Sequence, residues 1–405
     1  MFIGQFRSGI YKFSLLVSVS TLLLTPLAQA DHTQIEDHRG LSDEFGTSGS
    51  SIEHVVDKAR VYCYTGTLGA LVERPDATTY ILSNNHVLAK ENEPDNTLEP
   101  DGMKIIQPGL LDEGPCSLSL GNPDHQVGYL EDYVRLEFGK GRNLPENTVD
   151  AAIALNQGMD PSGRIMGIGG LSGNIEDAVV NMPVQKSGRT TGHTFGTVAA
   201  INVTLNVSYD SGTARFTGQT EVVGTCMNFS AGGDSGALIV TVPDDMITTN
   251  PPPPDAVGLL FAGGGSSTFA NPIGDVLSAL NVTMVASTEQ TEIGAMVSAI
   301  PPAPCTSGSD ENTGPGGPPP GKGKNKSAEY PAVTHASEVA TLHSNALLAI
   351  SGAQGHGIGV DENGDAVIRL YMDKGERRPA GDGSIPAEVG GVRIVVVQTG
   401  KIRAY

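Results

Sequence analysis

Three separated segments carry residues that could together do nucleophilic chemistry. Gly232-Gly233-Asp234-Ser235-Gly236-Ala237-Leu238 sets a serine in a tight, glycine-flanked turn. A serine hydroxyl is a poor nucleophile until a base takes its proton and donors meet the oxyanion formed on attack. Glycine at position 233 lets the backbone turn so that the N–H groups of Gly233 and Ser235 can aim at one oxyanion, and Gly236 removes bulk beside the hydroxyl. Upstream, Tyr80-Ile81-Leu82-Ser83-Asn84-Asn85-His86 is an apolar strand running into a histidine. Between them, Asn147-Thr148-Val149-Asp150-Ala151-Ala152-Ile153 places one carboxylate among small and apolar residues. A poorly solvated carboxylate must be hydrogen-bonded to stay charged, and an imidazole N–H is a natural donor.

Each piece also has an ordinary reading. A histidine after a strand is commonly structural, and an aspartate in an apolar run commonly caps a turn. The order His86, Asp150, Ser235 favours chemistry, because it supplies base, orienter and nucleophile from three segments. Asp124 and Asp132 are the alternative orienters, in more polar surroundings.

That constellation resembles the chymotrypsin-like serine proteases. The likeness extends to Ser187-Gly188-Arg189-Thr190-Thr191-Gly192-His193-Thr194-Phe195-Gly196, which is similar to the strand opening the second barrel of the alpha-lytic protease and streptogrisin branch. Gly258-Leu259-Leu260-Phe261-Ala262-Gly263-Gly264-Gly265 is similar to that branch's substrate-binding strand. The resemblance spans about residues 59–285.

It implies an all-β fold of two six-stranded antiparallel barrels and a secreted endopeptidase that cleaves peptides or proteins through an acyl-enzyme, with no cofactor. His86, Asp150 and Ser235 would be the triad, and the N–H groups of Gly233 and Ser235 the oxyanion hole. Asp234 would turn inward to an ion pair with Lys186. Phe229, Ser230 and Ala231 would line one side of the specificity pocket, and Ala262, Gly263 and Gly264 the other. Trypsin-type enzymes carry an aspartate where Phe229 stands, so cleavage after Lys or Arg is not favoured. Phe261 stands near the position where glutamate-specific relatives place a histidine. A small or medium apolar residue is therefore expected before the cut.

Two other readings compete. A non-catalytic binding protein on a protease scaffold would be favoured by a missing triad member, yet all three are present. An α/β-hydrolase esterase needs G-x-S-x-G and the order Ser, Asp, His. Here the spacing differs and the histidine comes first.

The positioning elements follow from composition. From Val61 onward, short β-rich runs such as 65–72 and 80–82 are broken by Gly, Pro, Asn and Asp, the texture of an all-β barrel or sandwich. At 405 residues the chain exceeds one usual domain. Residues 1–30 read as a secretory signal: Arg7 and Lys12 precede an apolar core, and Ala28-Gln29-Ala30 is a small-residue cleavage site. A secreted or periplasmic protein without stable membrane insertion is expected. Residues 31–58 read as a flexible lead-in or pro-segment, 59–300 as the protease domain, and 301–330 as a Pro/Gly-rich linker.

Residues 331–405 read as a small α+β accessory module. A helix is expected over 337–350, a hairpin about Asn363-Gly364, and a buried strand over 392–398. Asp361, Asn363 and Asp365 hint at calcium, but the later glutamate of a full loop is missing, so a turn is expected and no metal. A folding or regulatory role fits a chain whose lead-in is short.

The net charge of −20 becomes −22 once the two bases of 1–30 are removed, which disfavours nucleic acid and anionic membranes. Four cysteines in an exported chain imply two disulfides, with Cys63–Cys116 and Cys226–Cys305 as the expected pairs among three possible pairings.

Overall fold

The computed structural model describes residues 37–57, 60–92, 102–114, 116, 121–141, 144–243, 252–287, 331–373 and 385–405. The expected signal 1–30, the linker 301–330 and Cys305 lie outside the described residues.

Ten strands come first: β1 (Thr47–Ser51), β2 (Val55–Asp57), β3 (Arg60–Tyr62), β4 (Gly66–Leu68), β5 (Ala70–Glu73), β6 (Thr79–Ser83), β7 (Lys104–Ile106), β8 (Gln126–Tyr133), β9 (Glu146–Asn147) and β10 (Ala152–Asn156). Then follow β11 (Pro183–Gly188), β12 (Gly192–Ser208), β13 (Thr213–Gly224), β14 (Leu238–Thr241), β15 (Ala256–Gly264), β16 (Ser267–Pro272) and β17 (Thr283–Met284). The last are β18 (Ala353–Val360), β19 (Ala366–Met372), β20 (Glu388–Val389), β21 (Val392–Gln398) and β22 (Arg403–Ala404).

The first sheet has eight strands in the order β17-β5-β6-β10-β8-β7-β1-β4. Strands β4 and β5 are one bent strand interrupted at Gly69, whose N–H continues the ladder to the Leu82 carbonyl at 2.8 Å. A side chain at 69 would collide with the Gly236 carbonyl oxygen, so only glycine allows the two barrels to approach here. Counting β4–β5 once, six strands close the first barrel, and β17 pairs with β5 as an addition.

Strands β11 to β16 close the second barrel, through pairs β12–β11, β11–β14, β14–β15, β15–β16, β16–β13 and β13–β12. Two six-stranded barrels are thus present, within sheets of eight and twelve strands. The surplus arises because β9, β22 and the strands of the C-terminal region add to the second sheet.

Residues 331–405 do contain a helix, Pro331–Leu348, and the antiparallel pair β18–β19 around the Asn363-Gly364 turn. Strand β18 pairs with the middle of β12, so the C-terminal sheet continues the second barrel's wall. Strand β21 differs from expectation: it pairs parallel with β19 and most of its side chains reach solvent, with only Val392 buried in the C-terminal core and Ile394 packed against it. At the turn, Asp361 Oδ1 accepts the N–H groups of Asn363 and Asp365, as a simple turn requires.

Within the polar lead-in, the described residues 37–57 also differ from a flexible reading. Strand β1 is fully buried in the first barrel, paired with β4 and β7. Polar residues tolerate this burial because their hydroxyls are satisfied. Ser48 Oγ donates to Asp112 Oδ2 at 2.6 Å, Thr47 Oγ1 to the Glu44 carbonyl at 2.7 Å, and Ser51 Oγ to the Glu53 carbonyl at 3.0 Å. Composition alone made TSGSS look flexible.

Candidate active site

Strand β6 ends at Ser83, and the single helical turn Asn85–Leu88 follows, with Asn84 still extended. His86 on that turn is buried at the barrel edge. Asp150 lies between β9 and β10 with no solvent exposure. His86 Nδ1 stands 2.6 Å from Asp150 Oδ2, and the His86 backbone N–H reaches Oδ1 at 3.2 Å. Each hydrogen bond to a buried ionised group contributes on the order of 1.5–3 kcal/mol, which offsets the loss of hydration. Asn84 Nδ2 and Asn271 Oδ1 clamp the Asp150 backbone carbonyl and N–H at 2.6 and 3.0 Å.

A third donor to the carboxylate has no counterpart in the sequence reading. Tyr209, from the β12–β13 turn, donates its hydroxyl to Asp150 Oδ2 at 2.8 Å, and its ring meets that of His86 edge-on at 5.9 Å. Burial and then the Asp150 charge push the Tyr209 pKa well above its ordinary 10, so the phenol stays protonated and donates. Burial opposes the imidazolium of His86. The charge and hydrogen bond of Asp150, the Tyr405 carbonyl and Glu91 outweigh it and raise the His86 pKa above 6.5.

Ser235 sits in the turn before β14, its Oγ donating to the Phe261 carbonyl at 3.1 Å. The turn is fixed through its carbonyls. Thr190 Oγ1 holds that of Gly232 at 2.7 Å, and Ala237 N–H that of Asp234 at 3.0 Å. In a trans peptide the C=O and the next N–H point opposite ways. These contacts therefore fix where the N–H groups of Gly233 and Ser235 point. Gly233 has φ +99°, and a side chain there would strike Thr190 and Arg189.

Asp234 is fully buried beneath the turn. Its Oδ1 accepts the N–H groups of Thr190 at 2.8 Å and Thr191 at 3.2 Å, and its Oδ2 accepts Thr191 Oγ1 at 2.7 Å and the Ala231 N–H at 2.9 Å. Lys186 Nζ is 3.8 Å from Oδ2 and donates to Thr191 Oγ1 at 2.5 Å and to the Gly192 carbonyl at 2.7 Å. The Asp234–Lys186 pairing is thus long, and Thr191 relays it. Burial pulls the Lys186 pKa down to about 8, with Asp234 opposing.

The expected pocket residues gather around β15. Phe229 is fully buried in the second barrel's core, and Ser230 Oγ lies 2.6 Å from Thr268 Oγ1. Ala262, Gly263 and Gly264 form the end of β15. The alternative orienters lie elsewhere: Asp132 is exposed and pairs with Arg74 at 3.3 Å, and the Asp124 N–H caps onto Asn122. Cys63 and Cys116 are disulfide-bonded, as is Cys226. Among the described residues no cluster could hold a metal ion.

Over 100 residues the chain is 36% identical to glutamyl endopeptidase 2 of Streptomyces griseus, a match covering 24% of this chain and 48% of that protein. The resemblance to the chymotrypsin-like serine proteases is borne out. The chain spans about half the length of this relative. Among solved structures it is similar to a glutamic acid specific serine protease that utilizes a histidine triad in substrate binding, at 21% identity and TM-score 0.38 over 59% of this chain and 98% of that one. It is also similar to protease A of Thermobifida fusca, at 18% identity and TM-score 0.34 over 58% and 98%. No family model matches the chain. No helix among the described residues is long and apolar enough to cross a membrane.

Proposed function

We propose that this chain is a secreted serine endopeptidase working through His86, Asp150 and Ser235. The 2.6 Å contact between His86 and a carboxylate wholly removed from water carries the reading. A buried aspartate held by an imidazole, a tyrosine and a backbone N–H is poised to fix one tautomer and to stabilise an imidazolium. His86 Nε2 takes the Ser235 proton as Oγ attacks the substrate carbonyl, and Gly233 and Ser235 N–H groups receive the oxyanion. The imidazolium protonates the leaving amine, and water repeats the sequence on the acyl-enzyme. The signal-like residues 1–30 and the disulfide support export.

The relative's name describes glutamyl cleavage by that protein. Here the expected pocket walls are Phe229, Ser230, Ala231 and residues 262–264, which offer no cation to a glutamate side chain. Lys186 lies 5.8 Å from the centre of the Phe229 ring with its ammonium engaged by Thr191 and Gly192. Labelling with a serine-directed organophosphonate tests the proposal: adduct on Ser235, lost in Ser235→Ala and His86→Ala, is expected. A chain whose peptide-hydrolysing activity survives Ser235→Ala does not work this way.

A further inference from the structure

The cleft is already occupied by the chain itself. Strand β22 runs antiparallel to β15, with Ala404 opposite Ala262 and Arg403 opposite Gly263. The next residue, Tyr405, donates its N–H to the Phe261 carbonyl at 3.2 Å and presents its own carbonyl to His86 Nε2 at 3.0 Å. The Phe261 carbonyl also accepts Ser235 Oγ, so residue 405 bonds the base directly and shares one carbonyl with the nucleophile. An extended peptide added to a sheet edge, with a carbonyl at the general base, is the pose of a substrate segment up to the scissile bond.

The side chain of Tyr405 completes the pose. It packs on the apolar cluster containing Phe229, Val222, Ala237 and Leu260, with its hydroxyl beside Ser230. A Cβ at Gly263 would run into the phenol ring, so glycine there is what admits a flat aromatic ring. Upstream, Ile402 is fully buried among Phe216, Phe261 and Tyr371, its carbonyl accepting the Ser208 N–H at 3.0 Å. The N–H groups of Thr399 and Gly400 bond to the Met372 carbonyl at the end of β19, at 3.1 and 3.2 Å. The C-terminal region thus delivers residues 403–405 to the site from a fixed anchor.

Resting on the endopeptidase reading, we propose that Arg403-Ala404-Tyr405 is an intramolecular occupant of the substrate-binding half of the cleft, and that it displays the class of substrate the enzyme takes: a tyrosine-like aromatic before the cut, preceded by a small residue. This replaces the small or medium apolar side chain expected from sequence. The ring lies between Gly263 and the Phe229 cluster, and its aromatic bulk is what the site selects.

The test uses full chains. Tyr405→Ala is expected to hydrolyse acetyl-Arg-Ala-Tyr p-nitroanilide about tenfold faster than the unsubstituted chain, since a tethered ligand competes at a millimolar effective concentration. Tyr405→Phe, which keeps the ring, is expected to stay as slow as the parent. In Tyr405→Ala, Tyr and Phe substrates should outrun the Ala, Glu and Lys analogues; a Glu or Ala substrate turned over fastest overturns the proposed class. Equal, measurable rates for parent and Tyr405→Ala overturn the occupancy.

Binding separates this from the catalytic reading. A fluorescent Arg-Ala-Tyr peptide should bind the Ser235→Ala/Tyr405→Ala chain at least about tenfold more tightly than Ser235→Ala alone. That outcome without hydrolysis by any chain upholds the occupant and removes the endopeptidase; equal binding removes the occupant. Should Tyr405→Ala unfold, hydrogen exchange of the Ser235→Ala chain decides. Excess peptide is expected to speed exchange of the 402–405 amides, and unchanged protection counts against displacement.

Discussion

The hydroxyl of Tyr209 and the imidazole of His86 meet the same oxygen of Asp150, at 2.8 and 2.6 Å. A residue of the second barrel's long hairpin therefore shares the carboxylate that holds the His86 imidazole. Tyr209→Phe removes one donor to a buried charge, about 1.5–3 kcal/mol of interaction. A fall in kcat/KM of roughly tenfold or more is expected. With less of the Asp150 charge compensated, the acid limb of the pH profile should move to higher pH, a shift that a merely structural role would not cause.

The raised His86 pKa sets a second expectation. The proposed mechanism requires neutral His86, so kcat/KM should rise with pH through a value above 6.5. The Tyr405 carbonyl contributes to that rise, so displacing the segment in Tyr405→Ala should lower the midpoint. For stability the sign is opposite. The folded chain holds this proton more tightly than the unfolded one, so the contribution is full below pH 6.5 and is lost as pH climbs through the folded pKa. Thermal melts of parent and His86→Gln between pH 5 and 9 check it.

Lys186 is pulled the other way. With its pKa lowered from 10.5 to about 8, the unfolded chain binds more protons between those values. Stability of the parent relative to Lys186→Met should therefore rise from pH 8 to 10.5, by up to about 3 kcal/mol. Urea unfolding across that range measures it. Lys186→Ala should lower turnover by loosening Thr191 and the turn above Asp234; unchanged kcat would separate the lysine from the turn.

Glu221 fastens the C-terminal sheet to the second barrel. Its buried carboxylate accepts Arg369 Nε at 2.8 Å, the Tyr371 hydroxyl at 2.8 Å and Ser267 Oγ at 2.7 Å. Burial disfavours the guanidinium charge, but Glu221 and Tyr371 more than reverse this and raise the Arg369 pKa. Glu221→Ala leaves that cation without its counter-ion, a loss of about 3–5 kcal/mol. Chemical denaturation should show it. The same variant should hydrolyse peptides faster if the segment at 403–405 depends on β19 for its anchor.

The candidate residues stood out in the chain because each carries a local context: an apolar strand before His86, small residues around Asp150 and glycines around Ser235. The barrels were legible for a similar reason, since short β-rich runs repeat between turn residues. Tyr209 left no such trace, being a tyrosine in a hairpin turn whose role exists only once that turn reaches Asp150. The β1 segment misled because its hydroxyls find partners far along the chain, such as Asp112 for Ser48. Residues 403–405 carry no motif of their own. Their meaning comes from a register against β15 set by Ile402 and by the anchor at Met372.

Strand β17 and the helix Ile273–Leu280 follow the second barrel in sequence, yet β17 pairs with β5, and the helix buries Ile273, Val276 and Leu280 in a core shared by first-barrel strands and β14 and β15 of the second. The first barrel thus lacks part of its own interior until residue 284 has been made. Neither half can reach a finished state alone, so the pair should melt in one cooperative transition, and its formation should be governed by distant rather than neighbouring contacts.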